Sequence, residues 1–280
     1  MVRYDPDHQS EDVEDRRGRR SGGVAGAPLQ LLLNLLVLVG RRFGLMGVLV
    51  VLLLAGAGYA LMGPGLAPTT APPGAVDDEN EAFVGFVLDD IQDTWSSRLR
   101  GYERARLVLF RQMTRTACGL GQSATGPFYC PADRQVYIDL SFFDALSHLG
   151  APGDFARAYV IAHEVGHHIQ NQAGLLGRAH GPDAVGADGN AVRVELQADC
   201  LAGVWASAAD GRGLLEVGDL EEGLRAAGAI GDDRLQQRSE GQVRPESFTH
   251  GTSEQRMRWF QVGYREADPA ACDTFSAREL

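Results

Sequence analysis

The chain has 280 residues and a formal net charge of -11 at pH 7. This length accommodates one large domain with accessory segments, and the hydrophobic and charged fractions are those of a globular protein. Residues 1–42 carry seven Arg and six acidic residues, whereas the remainder carries 19 Arg and 31 acidic residues. So acidic a domain repels phosphate backbones, which argues against nucleic acid as a partner.

The first 62 residues read as a tail followed by an anchor. Residues 1–42 predict a disordered cytoplasmic tail that ends in a basic and apolar juxtamembrane segment, because their first half is polar and highly charged. Residues 43–62 contain no charged side chain. As a helix they would span about 30 Å, the thickness of the hydrocarbon core of a bilayer. We therefore expect a single transmembrane anchor at 43–62 that contacts the lipid bilayer.

Arginine residues precede this anchor, and few basic residues follow it directly. The positive-inside rule then places the N-terminus in the cytoplasm and the rest of the chain outside the cytoplasmic membrane. A cleaved signal peptide is the alternative, but the preceding tail is long for one. Residues 63–80 are rich in proline and predict a linker, so the folded domain is expected to occupy residues 81–280.

The four cysteines form no CxxC pair, which makes a cysteine-based zinc site improbable. An even number of cysteines fits disulfide bonds if the domain lies outside the cytoplasm. Cys118 and Cys130 are the preferred pair, because the residues between them are rich in turn formers. Buried free thiols are the alternative.

Within residues 81–280 the apolar spacing predicts a small set of strands, followed by helices. The chain therefore belongs to the α+β class. Strands are predicted at 107–110, 128–130 and 136–140, and helices at 81–100, 141–149, 155–172, 191–209, 218–230 and 252–265.

The segment YVIAHEVGHHIQN contains the HExxH motif on a predicted helix. His163 and His167 lie one turn apart on one face, so both imidazoles can bind a single zinc ion. Glu164 is placed beside a zinc-activated water and is the expected general base for hydrolysis. Gly166 permits a close approach of another backbone. His168 points about 100° away from His167 and is expected to be a polar neighbour rather than a ligand.

A catalytic zinc usually has three protein ligands and one open position. His180 follows His167 by thirteen residues, not the six that an HExxHxxGxxH pattern requires, and is set aside. Glu195 and Asp199 share one face of an otherwise apolar helix, where two carboxylates are costly without a cation or a donor. We expect Glu195 to bind zinc and Asp199 to accept the outer N–H of a ligand histidine. A solvated acid pair with Arg193 is the alternative.

The motifs HEVGHH and RVELQADCLAGVWA, together with SFTHGTSEQRMRWF, resemble the bacterial family of neutral zinc metallopeptidases. The stretches TACG and GPFYCPADRQVYIDLSFF extend the resemblance over residues 81–276. The resemblance implies a zincin-like fold of the Glu-zincin type and dependence on zinc. It supports His163, His167 and Glu195 as ligands, Glu164 as base and Asp199 as the partner of a ligand.

Three further residues are weaker candidates. The resemblance suggests that His250 and Arg256 approach the site, where a donor could stabilise an oxyanion. A structural hydrogen bond is the equal alternative for His250. Tyr137 could belong to an edge strand that binds an extended peptide, although strand core is the commoner role.

These observations predict an extracytoplasmic zinc peptidase, an endopeptidase with one zinc ion per chain, which acts on peptide or protein substrates. A non-catalytic zinc-containing binding or regulatory module is one alternative, but it would not require Glu164. An amidase that acts on cell-wall peptides is another, because its zinc chemistry would be identical.

Overall fold

A mixed four-stranded sheet combines strands from two separate parts of the chain. The computed structural model describes residues 2–17 and 75–280. The strands in these ranges are β1 (Val13–Asp15), β2 (Arg106–Phe110), β3 (Met113–Thr116), β4 (Gly119–Gln122), β5 (Phe128–Cys130) and β6 (Gln135–Asp139).

The sheet has the strand order β1-β2-β6-β5, and the hairpin β3-β4 is a separate two-stranded sheet. Strands β1, β2 and β6 are parallel, whereas β5 runs antiparallel to β6 and forms an edge. The central strands β2 and β6 are nearly continuous apolar runs and are buried, as strands covered on both faces require.

The helices in the described ranges pack around this sheet. They are α1 (Ala75–Arg98), α2 (Ser141–His148), α3 (Asp154–Gln172), α4 (Asn190–Gly211), α5 (Asp219–Ala229), α6 (Asp232–Ser239) and α7 (Ser253–Glu266). The predicted α+β class is confirmed, and each predicted strand and helix is present within a few residues of its expected bounds. Strand β1, the β3-β4 hairpin and helix α6 were not predicted.

The prediction of a disordered tail is wrong for residues 2–17. Strand β1 pairs with β2, and the Val2 side chain is only 4% exposed. The Val2 N–H donates to Asp154 Oδ2 at 2.6 Å. Asp12 accepts from Arg104 Nε at 2.6 Å and from Gln92 Nε2 at 3.0 Å. The charges that suggested a solvated segment are therefore satisfied by partners within the domain.

The pairing of β1 with β2 also bears on the expected orientation in a membrane. A single crossing between Arg17 and Ala75 would place these two strands on opposite sides of the bilayer. A cytoplasmic N-terminus joined by one span to an external domain would thus separate two strands that pair here, and the location of the protein stays a prediction.

The predicted anchor at 43–62 lies outside the described residues, as does most of the predicted linker. In residues 2–17 and 75–280, no helix has the length and apolarity to cross a membrane. The linker prediction fails at its C-terminal end, because α1 begins at Ala75 rather than near residue 81. Acidic residues such as Asp78 and Glu79 suit the N-terminal turns of a helix, where they complement its dipole.

Helices α4 and α7 touch backbone to backbone. A Cβ atom on Gly203 would lie 2.0 Å from the Phe260 carbonyl oxygen, and one on Gly263 would lie 1.8 Å from the Cys200 carbonyl oxygen. Only glycine permits so close a crossing. The crossing joins the second half of α7 to the middle of α4, and Arg256 in the first turn of α7 lies beside Asp199 of α4.

The described residues contain two disulfides. Cys118 and Cys130 form the predicted bond, which joins the β3-β4 hairpin to the edge strand β5. Cys200 and Cys272 form the other, which joins α4 to the 3-10 turn Pro269–Cys272 near the C-terminus. All four cysteines are therefore paired, and the free-thiol alternative is excluded.

Candidate metal centre and active site

The site forms where α3 crosses α4. A Cβ atom on Gly166 would lie 3.0 Å from Ala198 Cα and 3.1 Å from its carbonyl oxygen. The expectation of a close backbone approach at Gly166 is therefore confirmed. Because the two helices nearly touch here, the HExxH face of α3 lies directly opposite the carboxylates of α4.

His163, His167 and Glu195 offer ligand atoms that all lie within 4.8 Å of one another. Glu195 Oε2 is 3.1 Å from His163 Nε2, and Glu195 Oε1 is 3.4 Å from His167 Nε2. A tetrahedral zinc with bonds of about 2.0–2.1 Å needs ligand atoms separated by about 3.3 Å. Two imidazole nitrogens and a carboxylate at these distances fit a zinc ion and leave a fourth position open.

The outer nitrogen of His163 is held by a buried ionic network. His163 Nδ1 lies 2.8 Å from Asp199 Oδ1. Asp199 accepts two hydrogen bonds from Arg256, and the hydroxyl of Tyr159 donates to the same Oδ1. The predicted role of Asp199 matches this geometry, because a carboxylate on Nδ1 leaves Nε2 available to a metal.

The outer nitrogen of His167 is held by a neutral amide. Gln170 Oε1 lies 2.8 Å from His167 Nδ1, and Gln170 Nε2 donates to the Val194 carbonyl oxygen at 2.7 Å. A carbonyl oxygen only accepts, so this contact fixes the orientation of the Gln170 amide. Its oxygen then faces His167, whose Nδ1 must carry the proton. This is the tautomer that presents Nε2 as a metal ligand.

A second amide supports the first. Gln197 Oε1 accepts from Gln170 Nε2 at 3.1 Å, and Gln197 Nε2 donates to the Cys272 carbonyl oxygen at 2.9 Å. Both glutamines are buried. The chain of hydrogen bonds thus runs from His167 to the backbone beside the Cys200–Cys272 disulfide.

The electrostatics of the three candidate ligands favour a cation. Burial alone would lower the pKa of His163, but Asp199 and Glu195 outweigh it and raise that pKa to about 10. Burial would raise the pKa of Glu195, but the imidazoles of His167 and His163 hold it well below its ordinary value. The carboxylates thus attract a proton where a metal ion would bind, and metal and proton compete for this position.

Glu164 lies beside the three candidate ligands and is 7% exposed. Its carboxylate lines the same cleft as His163 and His167. Burial raises the pKa of Glu164 above its ordinary value, despite the opposing effect of the two imidazoles. A carboxylate with a raised pKa at the edge of a cleft suits a general base.

His250 lines this cleft as well. Its Nδ1 lies 3.2 Å from Asp232 Oδ1. Asp232 Oδ2 accepts the backbone N–H groups of Thr249, His250 and Gly251 at 2.6–3.1 Å. The hydrogen bond that His250 donates to Asp232 outweighs desolvation and raises the pKa of His250, so the imidazole carries charge more readily than usual.

The other residues considered in the sequence analysis lie outside the group of candidate ligands. His168 is buried away from the site, with Nδ1 3.0 Å from the Tyr129 hydroxyl and Nε2 2.6 Å from the Glu103 carbonyl oxygen, as expected for a non-ligand. His180 lines the cleft, outside the ligand group. Tyr137 is buried in the internal strand β6 and stacks on Phe128, so its role is that of strand core.

Three residues that position the site were not foreseen: Gln170, Tyr159 and Asp232. Gln170 lies three positions after His167, on the same face of α3, so helical spacing alone could have identified it. Tyr159 precedes His163 by one turn and could have been found in the same way. Asp232 could not, because its contact with His250 depends on the loop between α6 and α7.

The chain matches, over residues 2–275, the family described as "Putative neutral zinc metallopeptidase". It is 46% identical to the uncharacterized protein YpfJ of Escherichia coli K12, over 98% of this chain and 99% of that protein. It is 47% identical to the uncharacterized protein Rv2575 of Mycobacterium tuberculosis H37Rv, over 69% of each chain. No solved structure matches, so the zincin fold stays a prediction. The chain belongs to this family of neutral zinc metallopeptidases.

Proposed function

We propose that the protein is a zinc-dependent peptidase that hydrolyses peptide bonds with Glu164 as general base. The observation that carries the proposal is the position of Glu164, in one cleft with three ligand atoms that match a tetrahedral zinc site. His163, His167 and Glu195 would hold one zinc ion per chain. Bound there, zinc would lower the pKa of a water molecule and polarise the substrate carbonyl.

The protein's own residues supply the proton transfers. Glu164 accepts a proton from the attacking water and returns it to the departing amine, which lets one side chain serve as base and then acid. Its raised pKa favours this exchange near neutral pH. Asp199 and Gln170 keep the two imidazoles in the tautomer and orientation that the metal requires.

His250 is proposed to stabilise the transition state. Asp232 holds its Nδ1, and the side chain is about half exposed at the cleft, so its other nitrogen is available to a substrate. An imidazolium that donates to the developing oxyanion lowers the barrier without taking part in the proton transfers.

We further propose that the domain acts outside the cytoplasm. Two disulfides support this location, because such bonds persist in oxidising compartments. Under this proposal, residues 2–17 lie outside with the domain whose sheet they complete.

The decisive experiment compares the wild-type protein with Glu164→Gln, and uses Glu254→Gln as control because Glu254 is exposed and lies outside both the cleft lining and the ligand group. All three proteins should bind about one zinc per chain, measured by metal analysis after dialysis. Hydrolysis of quenched fluorescent peptides should fall in Glu164→Gln by about 10²–10⁴-fold, the usual contribution of a general base. Equal turnover in Glu164→Gln and wild type would overturn the mechanism. A wild-type protein that binds zinc but cleaves no peptide would support the non-catalytic alternative.

A further inference from the structure

The cleft beside the metal site has a volume of about 790 Å³. A pocket of this size is large enough for a short peptide segment or a ligand of similar volume. Among the described residues that line it, the charged side chains other than histidine are Glu164, Glu195 and Arg256. All three belong to the metal site and its supports, so the rest of the cleft offers no carboxylate or guanidinium to a substrate.

One wall of the cleft is an apolar stripe of α2. Phe142 and Ala145 line it from successive turns of that helix, and Leu149 lines it from the C-cap position. Residues three and four apart lie on one face of a helix, which explains why this stripe faces the cleft. The polar residues His148 and Asp144 are exposed and lie outside the lining.

The other walls are mainly apolar, with the hydroxyls of Ser123 and Thr125 and the imidazole of His180 as polar groups among them. Val160 lies one turn before His163 on α3, and Phe128 comes from the edge strand β5. Ile230 and Leu235 close the cleft from the side of α6.

The guanidinium of Arg256 at the cleft already has its partners. Arg256 donates to both oxygens of Asp199 and to the Ile230 carbonyl oxygen, and its side chain is 2% exposed. It therefore cannot turn to pair with a substrate carboxylate without taking its positive charge away from the buried Asp199 carboxylate.

We propose that this cleft selects uncharged, apolar side chains next to the scissile bond, so that the substrates are extended peptide segments rich in such residues. This inference rests on the proposed function for its link to catalysis. An apolar side chain gains from leaving water, whereas a charged one would lose its hydration against the apolar walls without meeting a free carboxylate or guanidinium, and the His250 imidazole is assigned to the oxyanion.

Binding can be measured apart from turnover. Dipeptide hydroxamates that differ only in one side chain, leucine, lysine or aspartate, would be titrated into the zinc-loaded full-length protein by calorimetry. The leucine compound should bind at least about tenfold more tightly than either charged compound, because its side chain alone matches the cleft. Equal affinities, or tighter binding of a charged compound, would overturn the proposal.

A designed charge provides a second test. Ala145 is exposed at the cleft, so Ala145→Asp should fold normally while it adds a carboxylate to the apolar stripe. The affinity of the lysine compound relative to the leucine compound should rise by about tenfold in Ala145→Asp. His148→Asp adds the same charge to the same helix outside the cleft, and should leave that ratio as in the wild type. A ratio unchanged in Ala145→Asp would place the substrate elsewhere.

Matched quenched peptides separate this proposal from the proposed function. Cleavage without any preference for apolar over charged flanking residues would reject the selectivity and leave the peptidase intact. Selective hydroxamate binding without cleavage of any peptide would reject the peptidase and support the apolar cleft. Failure of every hydroxamate to bind the zinc-loaded protein would reject both.

Discussion

Arg256 donates to Asp199 through two nitrogens, from Nε to Oδ2 at 2.8 Å and from Nη2 to Oδ1 at 3.0 Å. The exposed fractions of the two side chains are 2% and 0%. So buried a pair gains little net stability, because the loss of hydration offsets the attraction. The effect of the ion pair is instead to hold the Asp199 carboxylate in place beside His163 Nδ1.

Replacement of Arg256 alone should strongly lower the free energy of unfolding. Arg256→Met removes the guanidinium from the buried Asp199 carboxylate and leaves only His163 and Tyr159 as its partners; breaking such a buried pair typically costs about 3–5 kcal/mol of unfolding free energy. The double variant Arg256→Met, Asp199→Asn should recover much of this loss, because no uncompensated charge remains. Urea denaturation of the metal-free proteins measures both. Arg258→Met, at a side chain 47% exposed on the same helix, should change stability by less than about 0.5 kcal/mol. Equal losses at positions 256 and 258 would contradict the argument.

Gln170 should control the affinity for zinc through the tautomer of His167. Gln170→Met keeps the length of the side chain but removes its hydrogen bonds to His167, Val194 and Gln197, so zinc affinity should fall by about 10–100-fold. Chelator competition measures the affinity. Nitrogen-15 shifts of His167 in the metal-free protein should change from a single Nδ1–H tautomer to a mixture. Gln172→Met, at an exposed glutamine that contacts His168, should leave the His167 shifts unchanged. A single tautomer in Gln170→Met would show that another group sets it.

The sequence predicted the ligands more fully than their supports. The HExxH spacing identified His163 and His167 because both lie on one short helix, where local geometry is nearly fixed. Glu195 and Asp199 were found because two carboxylates on an apolar helix need partners. Arg256 could be named only through the resemblance, since its contact with Asp199 depends on how closely α7 crosses α4.

The N-terminal segment shows where composition misleads. Its many charges indicated disorder, yet Asp12 and Arg17 find partners inside the domain, and Val2 is buried. A strand of three residues leaves no periodic pattern to detect. Its order depends on long-range pairing with β2, which local sequence does not encode.

Gly166 should be intolerant of a side chain. The new methyl group in Gly166→Ala would meet the Ala198 backbone at 3.0–3.1 Å, so α3 and α4 must separate. Such overpacking typically costs about 1–3 kcal/mol. It also moves Glu195 away from the imidazoles, so zinc affinity should fall by about tenfold or more. Thermal denaturation and chelator competition test the two effects. Gly177→Ala, where no atom lies within 4 Å of a new Cβ, is the control. Wild-type affinity in Gly166→Ala would reject the crossing as a determinant of the site.

Deprotonation of His250 should lower peptidase activity at alkaline pH. Its pKa is raised above 6.5 by Asp232, so the imidazolium persists through neutral pH and is lost as pH rises through that raised value. The stability gained from the pair is fully present below about pH 6.5, the ordinary value for histidine, and is lost over the same rise. Activity should therefore fall on the alkaline side in the wild type. His250→Gln should have lower kcat/KM and lack this fall, as measured across pH with a neutral peptide. An unchanged alkaline limb would remove His250 from the mechanism.

If the predicted anchor at 43–62 inserts into a membrane, the pairing of β1 with β2 requires the N-terminal segment and the C-terminal helix to share one side of it. Glu11 and Arg265 are exposed, and each can be replaced by cysteine without disturbing the sheet or the metal site. A membrane-impermeant maleimide added to intact cells should label Glu11→Cys and Arg265→Cys to the same extent, whichever side the domain occupies. Both should be labelled if the domain is extracytoplasmic. Cell lysis should raise neither signal in that case. Labelling of Arg265→Cys alone would mean that residues 2–17 lie across the bilayer from the domain, and β1 could not then occupy its place beside β2 in the membrane-inserted protein.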